Sequence, residues 1–269
     1  MAKDAGYGRF ERWVDALPPQ GRYTFTREEC MTALNISQNA FQKSALRMSA
    51  RNRLARVYKR FYVVVPLEHS AAGIVPPDWF IVDLMKHLDR PFYVGLLSAA
   101  EYHGAAHQRP QNYQVVTDQS MRPIACRGVG VRFFGKRDPA RTPVQQIKGV
   151  TGYIPVSTPE ATATDLVVYA RQAGGLDRVL TVLQELAEQL DGQRLIKAID
   201  ANGQFVAAQR LGWLLDKAGA PEKAEPLARW LNKHRPLPAK LEPSLPVRGS
   251  QRDPRWDLWI NAEVEGDLT

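Results

Sequence analysis

Seven basic residues and no acidic residue lie between positions 43 and 60 of this chain. Guanidinium and ammonium groups at this density pair with phosphate oxygens, so the segment is suited to a nucleic-acid backbone. Just upstream, Asn39 and Gln42 carry amides, which can form paired hydrogen bonds with the edge of adenine. Groups that distinguish bases therefore stand beside groups that bind phosphate. The basic residues are Lys43, Arg47, Arg51, Arg53, Arg56, Lys59 and Arg60.

The surrounding residues predict two short helices. Thr26 and Ser37 are each suitable N-caps, because a hydroxyl can accept a hydrogen bond from an unpaired amide of the first helical turn. The second helix is expected to bury one apolar stripe, made of Ala40, Phe41, Ala45 and Met48. Its other face carries Gln38, Asn39, Gln42, Lys43 and Arg47.

A basic β-hairpin is expected directly after these helices. Residues 54–57 and 61–65 alternate in polarity around the tip Tyr58-Lys59-Arg60, and residues 23–25 are expected to add a short strand. Two helices followed by a basic hairpin are typical of a winged helix-turn-helix, which places its second helix in the DNA major groove. The alternative is an ordinary solvated basic face. The candidate DNA-binding residues are Gln38, Asn39, Gln42, Lys43, Arg47, Arg51, Arg53, Arg56, Lys59 and Arg60.

The net charge of +8 is concentrated at the N-terminus. Residues 1–62 hold 12 Lys and Arg against 5 Asp and Glu, which leaves 24 and 23 in the other 207 residues. A basic DNA-binding part is therefore expected on a nearly neutral body, whereas a generally basic protein would spread its charge.

We expect an α+β protein with two domains. The predicted division is a winged helix-turn-helix over residues 1–66, a linker over 67–77, and a larger domain over 78–269. That larger domain begins with helices and short strands arranged as hairpins or meanders, becomes helical from about residue 159, and ends in a proline-rich tail. Trp256 and Trp259 are expected to fold back onto the body, because exposed indole rings are costly in water.

The sequence indicates a cytoplasmic protein without a membrane segment. No apolar run reaches 18 residues and the N-terminus has no apolar stretch, so neither a membrane span nor a signal peptide is expected. Cys30 and Cys126 are far apart and lack metal spacing, which favours reduced structural thiols.

Sequence signatures of catalysis are not found. There is no P-loop, G-x-G-x-x-G, G-x-S-x-G or H-E-x-x-H. His103 and His107 are four apart, but Gly104 is expected to end their helix, so packing or capping is favoured over metal binding. Asp165 and Asp216 are interpreted as ordinary solvated charges on helices. We therefore expect no catalytic residue, no metal and no cofactor.

Five segments of the chain stand out by their order and spacing, and they are TREECMTALNISQNAFQKSALRMSARNRLARVYKRFYVVVP, PPDWFIVDLMKHLDRPFYVGLLSAAEYHGA, VRFFGKRD, PVSTPEATATDLVVYARQAGGLDRVLTVL and QRLGWLLDKAG. Together they resemble the AbiEi-type antitoxins of type IV toxin–antitoxin systems, over about residues 5–262. Many relatives carry a glycine at the hairpin tip, whereas Phe61 follows Arg60 directly here.

The resemblance implies an N-terminal winged helix and a C-terminal α/β antitoxin domain. It also implies a bacterial, nucleoid-associated repressor of its own toxin–antitoxin operon, which binds inverted repeats in promoter double-stranded DNA. Such proteins act in abortive infection, a phage defence. They counteract a nucleotidyltransferase-like toxin, with or without direct contact. Two alternatives stay open: a ligand-responsive winged-helix regulator, and a nucleic-acid-processing enzyme targeted by a winged helix.

Overall fold

The computed structural model describes residues 2–105, 110–200 and 204–266 as a mixed α+β structure, which confirms the expected fold class. The helices are α1 Ala2–Asp15, α2 Arg27–Leu34, α3 Gln38–Ala50, α4 Ile81–His87, α5 Leu96–Tyr102, α6 Pro159–Val168, α7 Leu176–Leu186, α8 Gly192–Asp200, α9 Phe205–Lys217 and α10 Pro221–His234. The strands are β1 Thr24–Thr26, β2 Leu54–Tyr58, β3 Phe61–Val64, β4 Phe92–Val94, β5 Tyr113–Thr117, β6 Ile124–Cys126, β7 Val129–Gly135, β8 Val144–Gly149, β9 Gly152–Ser157, β10 Ala239–Lys240, β11 Gln251–Asp253 and β12 Leu258–Ile260. Within these ranges, no helix combines the length and hydropathy that a membrane span requires.

The N-terminal unit, residues 2–65, packs α1, α2 and α3 against a three-stranded antiparallel sheet of order β1-β3-β2. Both expected caps form: the Thr26 hydroxyl accepts from the Glu29 amide at 3.1 Å, and the Ser37 hydroxyl accepts from the Ala40 amide at 3.3 Å. The Glu29 carboxylate also faces the Thr26 amide, which completes a capping box. These caps fix where α2 and α3 begin.

The β2–β3 hairpin lies between two apolar cores. On one face Leu54 and Val64 pack against α1–α3. On the other, Val57 and Val63 share a core with α4 and with strands β5, β6 and β7. The segment expected to be a linker takes part in this second core, since Ile74 and Val75 are buried. The division into two domains stays a prediction, but a continuous apolar layer joins the two parts.

The body, residues 77–266, is built on a mixed six-stranded sheet of order β6-β7-β5-β4-β9-β8. The expectation of simple hairpins or meanders was wrong for two pairs, because β5 runs parallel to β7 and β4 runs parallel to β9. Strands β4, β6 and β8 had not been predicted. Short apolar segments indicate a strand but contain little information about its partner.

Helices α5 and α6 pack on the sheet, and α7 to α10 complete the same apolar core. The C-terminal tail packs back on these helices as expected. The Trp256 indole is buried against Gly212, where an added Cβ would lie 2.0 Å from the ring. Its Nε1 donates to Asp216 at 2.7 Å, and Arg255 also bonds this carboxylate at 3.2 Å. The interpretation of Asp216 as an ordinary solvated charge was therefore wrong, since it anchors the tail.

Candidate nucleic-acid interface

Helix α3 presents one polar face to solvent because its apolar face is fixed by aromatic contacts. The Phe41 ring lies 5.7 Å from Phe10 and 5.2 Å from Tyr62, centroid to centroid. The buried stripe differs from the expected one at Ala40, which is exposed, while Ser44 is buried. The exposed face of α3 comprises Gln38, Asn39, Ala40, Gln42, Lys43, Leu46, Arg47 and Ala50.

The hairpin extends this face with further cations. Arg56 pairs with Tyr62 in the sheet register and lies on the side that faces the three helices. Lys59 and Arg60 form the turn, and Arg60 adopts a left-handed φ of 62°, the conformation that a glycine would adopt without strain. Both are exposed. We define the basic face as the exposed cations of α3, of its C-cap residue and of this hairpin, which are Lys43, Arg47, Arg51, Arg56, Lys59 and Arg60.

Nine of the ten candidate residues are exposed, whereas the Arg53 side chain is largely buried, with 21% of its surface exposed. The Arg53 guanidinium donates to Asp15 at 2.6 Å and to the Val65 carbonyl at 3.4 Å, so it ties the hairpin to α1. Two exposed pairs are looser: Arg51 to Glu11 and Arg60 to Glu28, each 3.6 Å. Exposed ion pairs contribute about 0–1 kcal/mol, so a phosphate can compete for these two arginines.

The body supports the end of α3 through Arg127, which sequence analysis had not singled out. Arg127 lies in the β6–β7 turn and donates to the Ser49 carbonyl of α3 at 2.8 Å and to the Gly73 carbonyl at 2.6 Å. A cation at the Ser49 carbonyl, in the last turn of α3, also complements the helix dipole. Gly73 has a φ of 68°, and a Cβ there would lie 2.7 Å from the guanidinium. The two ends of this contact are 78 residues apart, so no local pattern indicated it.

A second polar cluster lies inside the body. Lys136 donates to Asp165 at 2.7 Å and to the Tyr93 hydroxyl at 3.1 Å, and that hydroxyl donates to Asp165 at 2.6 Å. Lys136 is 6 % exposed and Asp165 is fully buried, so the interpretation of Asp165 as solvated was wrong. Burial, reinforced by the Asp165 carboxylate, raises the pKa of Tyr93 well above its usual range. The cluster links β4, the end of β7 and α6 as a satisfied structural network.

His103 ends α5 as its C-cap residue, and its ring contacts the sheet. Its Nε2 lies 2.8 Å from the Ser157 carbonyl and its Nδ1 lies 3.3 Å from the Gln145 amide. Burial lowers the pKa of the imidazole, which favours the neutral ring at pH 7. His107 lies outside the described residues. Among those that are described, no three His, Cys, Asp or Glu side chains are grouped as metal ligands require.

The part of the chain from β4 through α9 matches a known protein family. The model of the AbiEi antitoxin C-terminal domain matches residues 93–217. By sequence, these residues are similar to an AbiEi antitoxin C-terminal domain. The resemblance to AbiEi-type antitoxins is thereby confirmed over this range, which runs from β4 through α9 and contains the Lys136–Asp165 pair.

A solved structure has a similar fold over nearly the whole chain. The crystal structure of the RV2827C protein from Mycobacterium tuberculosis superposes with a TM-score of 0.65 at 18% identity, covering 93% of this chain and 90% of that chain. At this identity the likeness shows the fold alone. No curated protein matches the sequence of this chain.

Proposed function

We propose that the N-terminal unit is a winged helix-turn-helix and that the chain represses its own toxin–antitoxin operon. The observation that carries this proposal is the combination of the exposed amides of Asn39 and Gln42 on α3 with the basic face, which has six exposed cations. These are Lys43, Arg47, Arg51, Arg56, Lys59 and Arg60. Helix α3 has the size to enter the major groove of promoter DNA, and the hairpin cations then reach the flanking phosphates.

The AbiEi domain supports the second half of the proposal, an antitoxin that counteracts a nucleotidyltransferase-like toxin. The protein works as a type IV antitoxin in phage defence, on the bacterial nucleoid, and needs neither a cofactor nor catalysis of its own. Supporting this, the buried Lys136–Asp165 pair is satisfied internally and is enclosed, which suits a structural role rather than acid–base chemistry. Direct contact with the toxin is not required for this function.

Different substitutions are expected to affect the recognition of base sequence and the binding to the DNA phosphate backbone. Gln42→Ala is expected to weaken operator binding by about 1–3 kcal/mol and to leave nonspecific binding nearly unchanged, because an amide bonds base edges. Arg56→Ala or Lys59→Ala is expected to weaken both alike, because these cations meet phosphate. Fluorescence anisotropy with operator and scrambled duplexes measures both constants. If Gln42→Ala kept full discrimination, the assignment of this face to base recognition would be wrong.

Antitoxicity is expected to survive the loss of DNA binding. A truncated chain that begins near Pro76 would expose the apolar core that the body shares with Val57 and Val63. The test therefore uses the full-length chain. The double variant Gln42→Ala/Arg56→Ala changes only exposed side chains and should keep that core intact. Co-expressed with the toxin from a constitutive promoter, it should rescue growth as the wild type does while a promoter reporter loses repression. Loss of rescue at equal protein levels would contradict a separate antitoxin function in the body.

A ligand-responsive regulator is the second candidate, and one observation favours it. A cavity of about 410 Å³ lies where residues 69–77 meet the β6–β7 turn, and Ile74, Tyr113 and Arg127 line it. Its volume is in the range of small-molecule sites. Since Arg127 also holds the end of α3, a ligand there would act on the basic face. This candidate requires operator affinity to change when small molecules from a cell extract are added, whereas the leading proposal requires no change.

A further inference from the structure

Leu46 stands out on the exposed face of α3 because it is a large aliphatic residue that is 72% exposed. It lies two helical turns after Asn39 and one turn after Gln42 and Lys43, in the middle of the outward strip. The buried stripe of Phe41 and Met48 lies on the opposite side. Leu46 therefore contributes nothing to the core of the N-terminal unit.

The chemistry of this strip matches an A·T base pair in the major groove. The amides of Asn39 and Gln42 suit the N6 and N7 atoms of adenine. Thymine presents there a C5-methyl group, the apolar feature of the groove, and aliphatic side chains pack on it. Leu46 is the one large aliphatic side chain among the exposed residues of α3, within the part of the chain that the structure describes.

We propose that Leu46 packs on the C5-methyl group of a thymine in the operator and thereby contributes to sequence specificity. This inference rests on the proposed function, since it requires α3 to enter the major groove. The one-turn separation from Gln42 is about 5–6 Å, which places the thymine within about two base pairs of the base that Gln42 bonds.

The test removes the methyl group from the DNA and the side chain from the protein in turn. Each thymine of the protected promoter region is replaced by deoxyuridine, which keeps the base pair and loses only the methyl group. Wild-type and Leu46→Ala chains are then titrated with each duplex. Leu67→Ala is the matched control, because Leu67 is 69% exposed and lies outside α3. Circular dichroism and thermal melting confirm that each variant folds.

Methyl removal at one such thymine should weaken wild-type binding about fourfold, the value for burying one methyl-sized group, and replacing the equivalent thymine in both half-sites should weaken it about 16-fold. Leu46→Ala should lose about as much as this double replacement on the thymine duplex and nothing further on the doubly substituted duplex, whereas Leu67→Ala should behave as wild type. If no thymine shows this coupling while the wild type binds its promoter specifically, the role of Leu46 is overturned and the proposed function stands. If the wild type does not bind the promoter at all, the proposed function fails first.

Discussion

Raising the salt concentration from 50 to 200 mM is expected to weaken promoter binding several-hundred-fold. Six exposed cations line the basic face, and about five phosphate contacts give a slope of roughly −4 to −5 for log K against log salt. The nearly neutral body contributes little to this dependence, because its basic and acidic residues almost balance. Anisotropy titrations at four or more salt concentrations measure the slope directly.

A matched pair of lysine variants tests whether the salt dependence of DNA binding comes from the basic face. Lys59→Ala should reduce its magnitude by about 1, because one phosphate contact is lost. Lys233→Ala, an exposed lysine on α10 outside the basic face, should leave it unchanged. A wild-type slope near zero, or equal effects of the two variants, would be incompatible with phosphate binding by the hairpin.

Asp165→Asn is expected to destabilise the protein by about 3–5 kcal/mol. The change keeps the shape of the side chain but leaves the buried Lys136 ammonium without its counter-charge, and an uncompensated buried charge costs this much. Urea denaturation followed by tryptophan fluorescence measures the loss. The double variant Lys136→Met/Asp165→Leu should recover part of it, since both charges are then removed together.

Asp118→Asn is the surface control for this experiment. Asp118 pairs with Arg90 at 2.9 Å, but its side chain is 38% exposed, so the expected loss is below about 1 kcal/mol. Equal losses for Asp165→Asn and Asp118→Asn would show that the interior pair does not stabilise the body of the protein.

Local signals in the sequence predicted much of the N-terminal unit. The hydroxyls of Thr26 and Ser37 act within three residues of themselves, so their caps could be identified from spacing alone. Asn52, just after α3, has a left-handed φ of 56°, a conformation that asparagine tolerates better than most residues. The exposed face of α3 followed from the helical period, with Ala40 as its one misplaced apolar residue.

Contacts between residues that are far apart in the chain could not be predicted from local sequence patterns. Lys136 and Asp165 are 29 residues apart, and each alone resembles an exposed charge. The burial of Ile74 and Val75 depends on which face of the hairpin meets the body, which a proline-rich segment does not indicate. The parallel strand pairs were missed for the same reason, because tertiary packing selects the partner of a short strand.

A DNase I footprint of the full-length protein on the promoter upstream of its own gene tests the central claim most directly. The expected result is protection of two half-sites in inverted orientation, with centres spaced by whole helical turns of about 10–10.5 base pairs. Gln42→Ala should lose these footprints at concentrations where the wild type gives them in full. A wild-type protein that protects no part of the promoter at low salt would contradict operator binding by α3 and its hairpin.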